Sequence, residues 1–380
     1  MPPSVEKTLA RIRESVESGA YYEAQQMYKT SYHRSKARQQ FADAVAILQE
    51  GAVTQLAHGQ PTCGVELGML LIEAYVAAST PADADTVSRV LAIIRAFPLT
   101  ARTSADANQG QATSSSSSSQ AVASPVVDEY ARLVAAAVKW ANKYGLMGGD
   151  PAAVGLNCEH ASLLSSTRFT FTCVIGLRKD LGCRLAVALD DAFPLQSKNG
   201  AVVSARRIHS AFASYLWRSF GTDGIGRALP HFIRGEDAEE FAEALYSCAR
   251  QGPSGEADLW LLRAVLQVLA AASGSSSTAQ MSYARALYDA FIAKDSPLDT
   301  PTGHFTELVL LAVEHTPISP RAHDMFALVR ERYSDGVLRR DESLGALMER
   351  VEGLFFNMRR GGSALGGLLG DLFRTLTEVQ

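Results

Sequence analysis

The amino-acid sequence predicts an all-α protein built as an α-solenoid of antiparallel helix pairs. Apolar residues recur at three- and four-residue steps through most of the 380 residues, as expected for amphipathic helices. Short turns rich in Gly, Ser and Pro separate these segments. Tyr21 with Ala24, and Phe41 with Ala44, place an aromatic and a small residue at the starts of successive helices. Such pairs let neighbouring helices approach closely and favour a tetratricopeptide-like array, although no strict consensus of about 34 residues is present.

Residues 1–99 form the predicted N-terminal helical half. In its first helix Leu9, Ile12 and Val16 share one face, and Ser18-Gly19 ends the pattern as a C-terminal glycine does. The second helix begins at Tyr21 and carries one aromatic stripe beside one polar stripe. The remaining helices of this half are predicted from Phe41 to His58-Gly59, from Val65 to Ala78 and from Pro81 to Phe97.

Two segments interrupt the helical pattern. Residues 100–125 contain six consecutive serines and too few apolar residues to order, so they are predicted to be a flexible, disordered insert. Residues 126–154 continue the helical repeat, with a helix from Val126 to Tyr144. Residues 155–204 are an atypical insert, in which Phe169 to Ile175 has the β-branched and aromatic composition of a strand.

Residues 205–380 form the predicted C-terminal helical half, which closes with an amphipathic segment. After the break at Gly361-Gly362, one face of that segment carries Leu365, Leu368, Leu369, Leu372, Phe373 and Leu376. An apolar stripe of this kind is either docked on its own solenoid or waiting for another chain. The other helices of this half are predicted over Arg206 to Ser219, Gly235 to Gln251, Glu256 to Ala272, Thr278 to Ala293, Gly303 to His315, Ala322 to Tyr333 and Asp341 to Phe356.

Composition excludes several functional classes. With 36 Lys and Arg against 40 Asp and Glu, the formal charge of −4 argues against nucleic acid as the main partner. No apolar run approaches the ~20 residues of a transmembrane helix, and the first residues lack the features of a secretory signal, so direct membrane insertion is not expected. Five widely spaced cysteines suit free thiols in the reducing cytosol. A cytosolic chain is therefore predicted.

No pattern of residues indicates catalysis, a cofactor or a metal. The glycines from Gly221 to Gly226 are in the wrong order for a phosphate loop. Cys158 and His160 with Cys173 and Cys183 come nearest to a zinc cluster, but the paired spacing of a zinc knuckle is missing. The histidines have no common spacing that would build a site. We therefore predict a protein that is not an enzyme.

A run of cations from Lys29 to Arg38 is the main candidate for binding a partner. It contains Lys29, His33, Arg34, Lys36 and Arg38, without an acidic residue between Glu23 and Asp43. Cations four residues apart on a helix can meet an acidic protein surface, and binding of that kind is sensitive to salt. A basic run is more often a solvated helix face, and physics alone leaves both readings open.

Further sequence features resemble a known family. These are the double tyrosine Tyr21-Tyr22 with Glu23-Ala24, the segment Glu66 to Glu73, and Leu354-Phe355-Phe356 followed by Gly366-Gly367-Leu368-Leu369. They resemble the Golgi-to-ER traffic protein four family, the scaffold of guided entry of tail-anchored proteins. The resemblance is ungapped for much of the first hundred residues. Three features depart from the family pattern. The serine tract and residues 155–204 look like insertions. The segment Asp295 to His304 is short, whereas relatives carry a longer segment here that is interpreted as a hairpin gripping the adaptor.

The resemblance implies a scaffold without catalytic residues and with a partner at each end. A homodimeric targeting ATPase would bind the N-terminal half, and a ubiquitin-like adaptor that recruits a co-chaperone would bind the C-terminal half. Carried onto this chain, the ATPase site would comprise Arg11, Tyr22, Lys29, Arg34, Lys36, Arg38 and Glu66. The adaptor site would comprise Leu354, Phe355, Phe356, Leu368, Leu369 and Leu372. Tail-anchored clients would reach the scaffold only through these partners.

Two other readings stay open at this point. The chain could be a helical-repeat subunit of an unrelated assembly, such as a proteasome lid or a transport coat. A hydrolase that uses the atypical insert is the weakest reading, and it predicts a metal near Cys158, Cys173 and Cys183.

Overall fold

The computed structural model describes residues 3–99, 125–145, 200–253, 255–273, 277–294 and 299–356, and all regular structure in these ranges is helical. The all-α prediction is confirmed within them. The helices are α1 (Pro3–Glu17), α2 (Tyr21–Ala37), α3 (Phe41–Ala57), α4 (Pro61–Ala77), α5 (Ala84–Arg95), α6 (Pro125–Tyr144), α7 (Gly200–Phe220), α8 (Ile225–Ile233), α9 (Ala238–Gln251), α10 (Ala257–Ala270), α11 (Ser277–Ile292), α12 (Pro301–Glu314), α13 (Ala322–Arg332) and α14 (Ser343–Phe355). Short 3₁₀ turns occur at Gly221–Gly224 and Leu338–Arg340. The predicted strand, the cysteine cluster and the serine tract lie outside the described residues.

The first four helices repeat with a period of 20 residues. A three-residue turn follows each of α1, α2 and α3, and a longer connection follows α4. The second residue after each of these helices has a left-handed backbone: Gly19 (φ +81°), Gln39 (+62°), Gly59 (+70°) and Ser79 (+51°). The amide of that residue and the next amide bond back to carbonyls near the helix end, as in the Schellman motif. Because every turn has the same geometry, α1 to α4 pack side by side with alternating direction.

The turns at Gln39 and Ser79 predict a gain in stability on substitution by glycine. A left-handed backbone costs a side-chain-bearing residue ~1–2 kcal/mol, and glycine removes most of that cost. We expect Ser79→Gly to raise the free energy of unfolding by about 0.5–1 kcal/mol. Urea denaturation would measure the change. The control is Ala78→Gly, since Ala78 has an ordinary φ of −87° and glycine there should destabilise; equal effects of the two substitutions would contradict the prediction.

A glycine allows α3 to lie between α2 and α4. A Cβ atom on Gly51 would stand 2.8 Å from the ring of Tyr28 and 2.9 Å from Leu67. Tyr28 is fully buried, and Tyr21 packs partly buried against the core. Tyr21 and Tyr28 therefore serve the packing of α2 against its neighbours.

Aromatic side chains join the N-terminal helices to the rest of the fold. Trp140 of α6 stacks on Tyr75 with ring centroids 5.0 Å apart, and its indole N–H donates to the carbonyl of Thr80 at 3.0 Å. Phe97, just beyond α5, stacks on Tyr130 and meets Tyr215 of α7 edge-on. The helices α1 to α5 thus share a continuous core with α6 and α7.

The C-terminal helices are arranged around α10, which is buried on most of its surface and contacts α8, α9, α11, α12 and α14. At its N-terminus the buried carboxylate of Asp258 accepts hydrogen bonds from Thr300 and from Arg340. This charged network holds the start of α10, the start of α12 and the 3₁₀ turn before α14 together.

Two sequence-based helix predictions were wrong. The helix predicted to begin at Arg206 begins at Gly200 as α7, and Ala205, Ile208 and Phe212 lie on its buried face. The helix α8 was not predicted, because glycines precede it and Pro230 lies inside it. Most of the other predicted ends lie within about three residues of the observed ones, the usual uncertainty of helix ends.

Candidate functional site

The candidate partner site on the N-terminal half is organised by α2, whose surface has three sides. Its core side is buried. Tyr22, Gln26 and His33 form an outward ridge, and the Tyr22 side chain is 70% exposed. One flank of the ridge faces α1 and the other faces α4. The cations of the basic run divide between these flanks, because successive helical residues are rotated by about 100°.

The flank toward α1 is a cationic groove, which we call the α1–α2 groove. It has a volume of about 490 Å³ and adjoins a smaller hollow of about 180 Å³. Lys7, Arg11 and Arg34 line the groove, and Arg34 and Arg38 line the hollow. In the part of the chain that the structure describes, no acidic side chain lines either cavity. Thr8, Gln26, Met27, Thr30 and Ser31 complete the walls of the groove.

The flank toward α4 carries a neutralised pair. The ammonium of Lys29 donates to Glu66 at 2.6 Å, and the side-chain amide of Gln25 donates to the same carboxylate. The hydrogen bond from Lys29 holds the pKa of Glu66 below its usual value. Lys29 and Glu66 thus satisfy each other, and neither presents an unpaired charge to a partner.

Lys36 lies further along the flank toward α4 and is not in the groove. Its ammonium sits 5.7 Å from the centre of the Tyr32 ring, beside Phe41 and Ala77. The structure therefore brings Arg11, Arg34 and Arg38 together and separates them from Lys29, Lys36 and Glu66. Lys7 belongs with the first group and was missed, since it precedes the basic run by more than twenty residues; only the helical spacing from Lys7 to Arg11 pointed to it.

The candidate site at the C-terminal end is a groove of about 390 Å³ lined by apolar and hydroxyl-bearing side chains, which we call the C-terminal groove. Leu354 and Phe355 line it together with Met281, Val313 and Pro317. Phe356 packs instead on Phe326, with ring centroids 4.9 Å apart, and on His323. The other predicted members of this site, Leu368, Leu369 and Leu372, lie outside the described residues.

Two partly buried histidines, whose contact could not be predicted from the sequence, meet between α7 and α8. The Nδ1 atoms of His209 and His231 are 2.9 Å apart, although the two residues show no recognisable spacing. Their only close partners for metal binding would be each other, and the described part of the chain holds no group of three metal-ligating side chains.

Cys63 and Cys248, the described cysteines, are free thiols. No helix in the described ranges combines the length and apolar character needed to cross a membrane.

These features define an all-helical repeat protein whose prominent surfaces are grooves between helices. The family described as Golgi to ER traffic protein 4 matches residues 38–153 and 189–375, more than half of the chain. The chain belongs to this family, whose members are generally non-catalytic adaptors.

Individual relatives cover nearly the whole chain. Protein GET4 of Arabidopsis thaliana is 24% identical over 98% of this chain and 97% of its own length. The Golgi to ER traffic protein 4 homolog of Bos taurus is 25% identical over 98% of this chain and 87% of its own. The crystal structure of C. therm. Get4 superposes with a TM-score of 0.61 at 18% identity, covering 97% of this chain and 96% of that one, and so supports the fold.

Proposed function

We propose that this chain is a cytosolic, non-enzymatic α-solenoid scaffold for delivering tail-anchored membrane proteins to the endoplasmic reticulum. It would bind a homodimeric targeting ATPase with its N-terminal half and a ubiquitin-like, co-chaperone-recruiting adaptor with its C-terminal half. Membership of the Golgi to ER traffic protein 4 family supports the pathway. The cation-lined α1–α2 groove is the observation that carries the N-terminal assignment.

The α1–α2 groove suits a partner surface rich in carboxylates. Lys7, Arg11, Arg34 and Arg38 have no ion-pair partner among the described residues, so a partner would meet charges that are not yet neutralised. Exposed charges at the rim of an interface mainly accelerate association and fix orientation. Tyr22 on the neighbouring ridge supplies the exposed aromatic surface that interfaces favour.

The C-terminal groove suits a partner segment with uncharged side chains. Leu354 and Phe355 are half-buried in its wall, and no charged side chain lines it in the described residues. We assign the ubiquitin-like adaptor to this end, with Leu354 and Phe355 as contacts and Phe356 as a support for them. Leu368, Leu369 and Leu372 remain proposed contacts on sequence grounds.

The mechanism of such a scaffold is proximity. Two partners held on one helical array experience an effective concentration in the ~mM range, which promotes transfer between them without any bond being made. The hydrophobic core is continuous from Leu9 in α1 to Val351 in α14 and supports this role, because it keeps the relative positions of the two bound partners fixed.

Reversing the charges at Arg11 and Arg34 tests the N-terminal assignment. We expect Arg11→Glu/Arg34→Glu to weaken binding of the ATPase homodimer at least tenfold at low salt, because two attractive contacts become repulsive. The salt dependence of binding should also flatten. Calorimetry at two ionic strengths with the full chain would measure both effects.

The matched control is Lys139→Glu/Arg332→Glu, which makes the same change in net charge at exposed positions on α6 and α13. It should leave ATPase affinity within about twofold, and both double variants should bind the adaptor normally. An ATPase affinity at low salt that does not respond to the Arg11→Glu/Arg34→Glu exchange would reject the α1–α2 groove as the site.

A further inference from the structure

A small apolar cleft lies where α2, α3 and α4 come together at one edge of the array. We call it the Lys36 cleft. It has a volume of about 210 Å³. Its lining residues are Tyr32, Lys36 and Gln39 from α2 and the following turn, Phe41 and Ala44 from α3, and Ala74, Ala77 and Ala78 from the end of α4. Among the described residues Lys36 is the one charged side chain that lines it.

The rim of the Lys36 cleft leaves apolar surface uncovered. Phe41 and Val76, which precedes Ala77 of the cleft, are each 41% exposed. Phe41 is the first residue of α3 and follows the left-handed turn at Gln39, so its position is fixed by the repeat. Alanines form the floor and leave room that a larger side chain would fill. Exposed apolar side chains grouped around a concavity mark interaction sites more often than single ones do.

Comparison of α2 with α4 shows that no ion pair within the described residues neutralises the charge of Lys36. Lys29 on α2 pairs with Glu66 on α4 at 2.6 Å. Seven residues further along each of these parallel helices stand Lys36 and Glu73. This second pair does not form an ion pair in the described structure; the Lys36 ammonium lies over the Tyr32 ring instead. A cation over an aromatic ring at an exposed site is held only weakly and remains able to meet a carboxylate.

We propose that the Lys36 cleft is a second docking surface, separate from the α1–α2 groove. Its occupant is a peptide segment of a partner protein that inserts one large apolar side chain and sets a carboxylate beside Lys36. The volume is below the ~300 Å³ at which pockets begin to hold drug-sized ligands, which matches a single anchoring side chain. The sign of the one lining charge selects an acidic neighbour for that anchor.

The surroundings argue against other occupants. A lone cation does not provide the row of phosphate contacts that a nucleic acid needs. A second copy of this chain is disfavoured as the occupant. A two-fold interface at the cleft would bring two Lys36 charges together, and they would repel each other unless each met a carboxylate of the other copy. The proposal therefore commits to an acidic, apolar peptide segment.

Binding of fluorescein-labelled hexapeptides to the full chain tests the proposal by anisotropy. The probe is Asp-Asp-Phe-Leu-Asp-Asp, with Lys-Lys-Phe-Leu-Lys-Lys and Asp-Asp-Ser-Ser-Asp-Asp as comparisons. We expect saturable binding of the first peptide and at least tenfold weaker binding of the other two. Lys36→Glu and Phe41→Ala should each weaken the first peptide about tenfold. Glu73→Gln should strengthen it about threefold, because the substitution removes an exposed negative charge that repels an acidic peptide.

Controls separate this cleft from the rest of the surface. Lys139→Glu and Leu328→Ala change an exposed cation and an exposed apolar residue elsewhere and should have effects below twofold. Ala77→Leu fills the cleft without changing any charge and should abolish binding while circular dichroism stays native. These peptide-binding experiments do not involve the ATPase, so their outcome is independent of the function proposed above.

Three results would overturn the proposal. Equal binding of the acidic and basic peptides would remove the role of Lys36. Loss of binding with Arg34→Glu, but not with Lys36→Glu, would assign the probe to the α1–α2 groove. A chain that sediments as a dimer, becomes monomeric with Phe41→Ala and never binds the probe would assign the cleft to a second copy.

Discussion

Replacing Asp258 with alanine is expected to lower the free energy of unfolding by about 3 kcal/mol, because it removes one partner of a buried charge pair. Only 6% of the Asp258 side chain is exposed. Its oxygens lie 3.1 and 3.2 Å from Nη1 of Arg340, and the hydroxyl of Thr300 donates to one of them at 2.9 Å. The substitution would leave the guanidinium and the hydroxyl without this acceptor.

The size of the expected loss follows from how Arg340 is placed. Its side chain is 33% exposed, and it also donates to the hydroxyl of Thr302 at 2.7 Å. Water can therefore solvate part of the guanidinium after Asp258 is removed. This places the loss at the lower end of the ~3–5 kcal/mol seen when one member of a buried pair is deleted.

Urea denaturation of the two variants Asp258→Ala and Asp335→Ala would test this expectation. Asp335 also pairs with an arginine, Arg339 at 3.1 Å, but both side chains are about 80% exposed. Its removal should cost ~0.3 kcal/mol. Asp258→Asn keeps an acceptor oxygen and should fall between the two. Similar losses for Asp258→Ala and Asp335→Ala would show that burial does not govern the strength of the pair.

Local periodicity was sufficient to predict most helices, but it hid the repeat that organises them. Gly19 and Gly59 are recognisable helix ends, whereas Gln39 and Ser79 occupy the same left-handed position without a glycine. The period of 20 residues was therefore visible only in the backbone. The helix α8 was missed for the opposite reason: glycines that normally indicate a loop lie in a helical turn here.

The sequence analysis named most of the cations that line the α1–α2 groove, but not how the cations are arranged around α2. Neighbours in the basic run point in different directions around α2, so Arg34 faces α1 while Lys36 faces α4. Interactions between distant residues left no signal at all. Asp258 and Arg340 are 82 residues apart, and His209 and His231 are 22 apart. A single sequence does not specify which of its side chains meet across such distances.

The histidine pair is expected to make the protein less stable in weak acid. Burial is the main cause that lowers the pKa of His209 to about 3 and of His231 to about 4, and the charge of Arg234 lowers both further. Both imidazoles are thus neutral when folded, with one Nδ1–H donating to the other Nδ1. Protonation of the accepting nitrogen would abolish this hydrogen bond.

The direction of this pH effect follows from the number of protons that the two histidines bind in the folded and in the unfolded state. Histidines in the unfolded chain take up protons below their ordinary pKa of ~6.5, whereas the folded pair does so only near pH 4. The contribution of the pair is therefore complete above pH 6.5 and decreases as the pH falls toward 4. Between pH 7 and 5.5 we expect a loss of about 2 kcal/mol in the free energy of unfolding.

Comparison of variants isolates the histidines from other titrating groups. Burial raises the pKa of Glu236 and of Glu240, so these carboxyls favour the folded state in acid and oppose the histidine effect. The measurement is therefore the difference in pH dependence between the parent chain and His231→Gln, from urea denaturation at pH 7 and pH 5.5. The variant should lose at least half of the histidine effect. His33→Gln, the same change at an exposed position, should keep the parent profile. If His231→Gln and His33→Gln gave the same pH profile, the loss of stability in acid would have to arise from groups other than this pair.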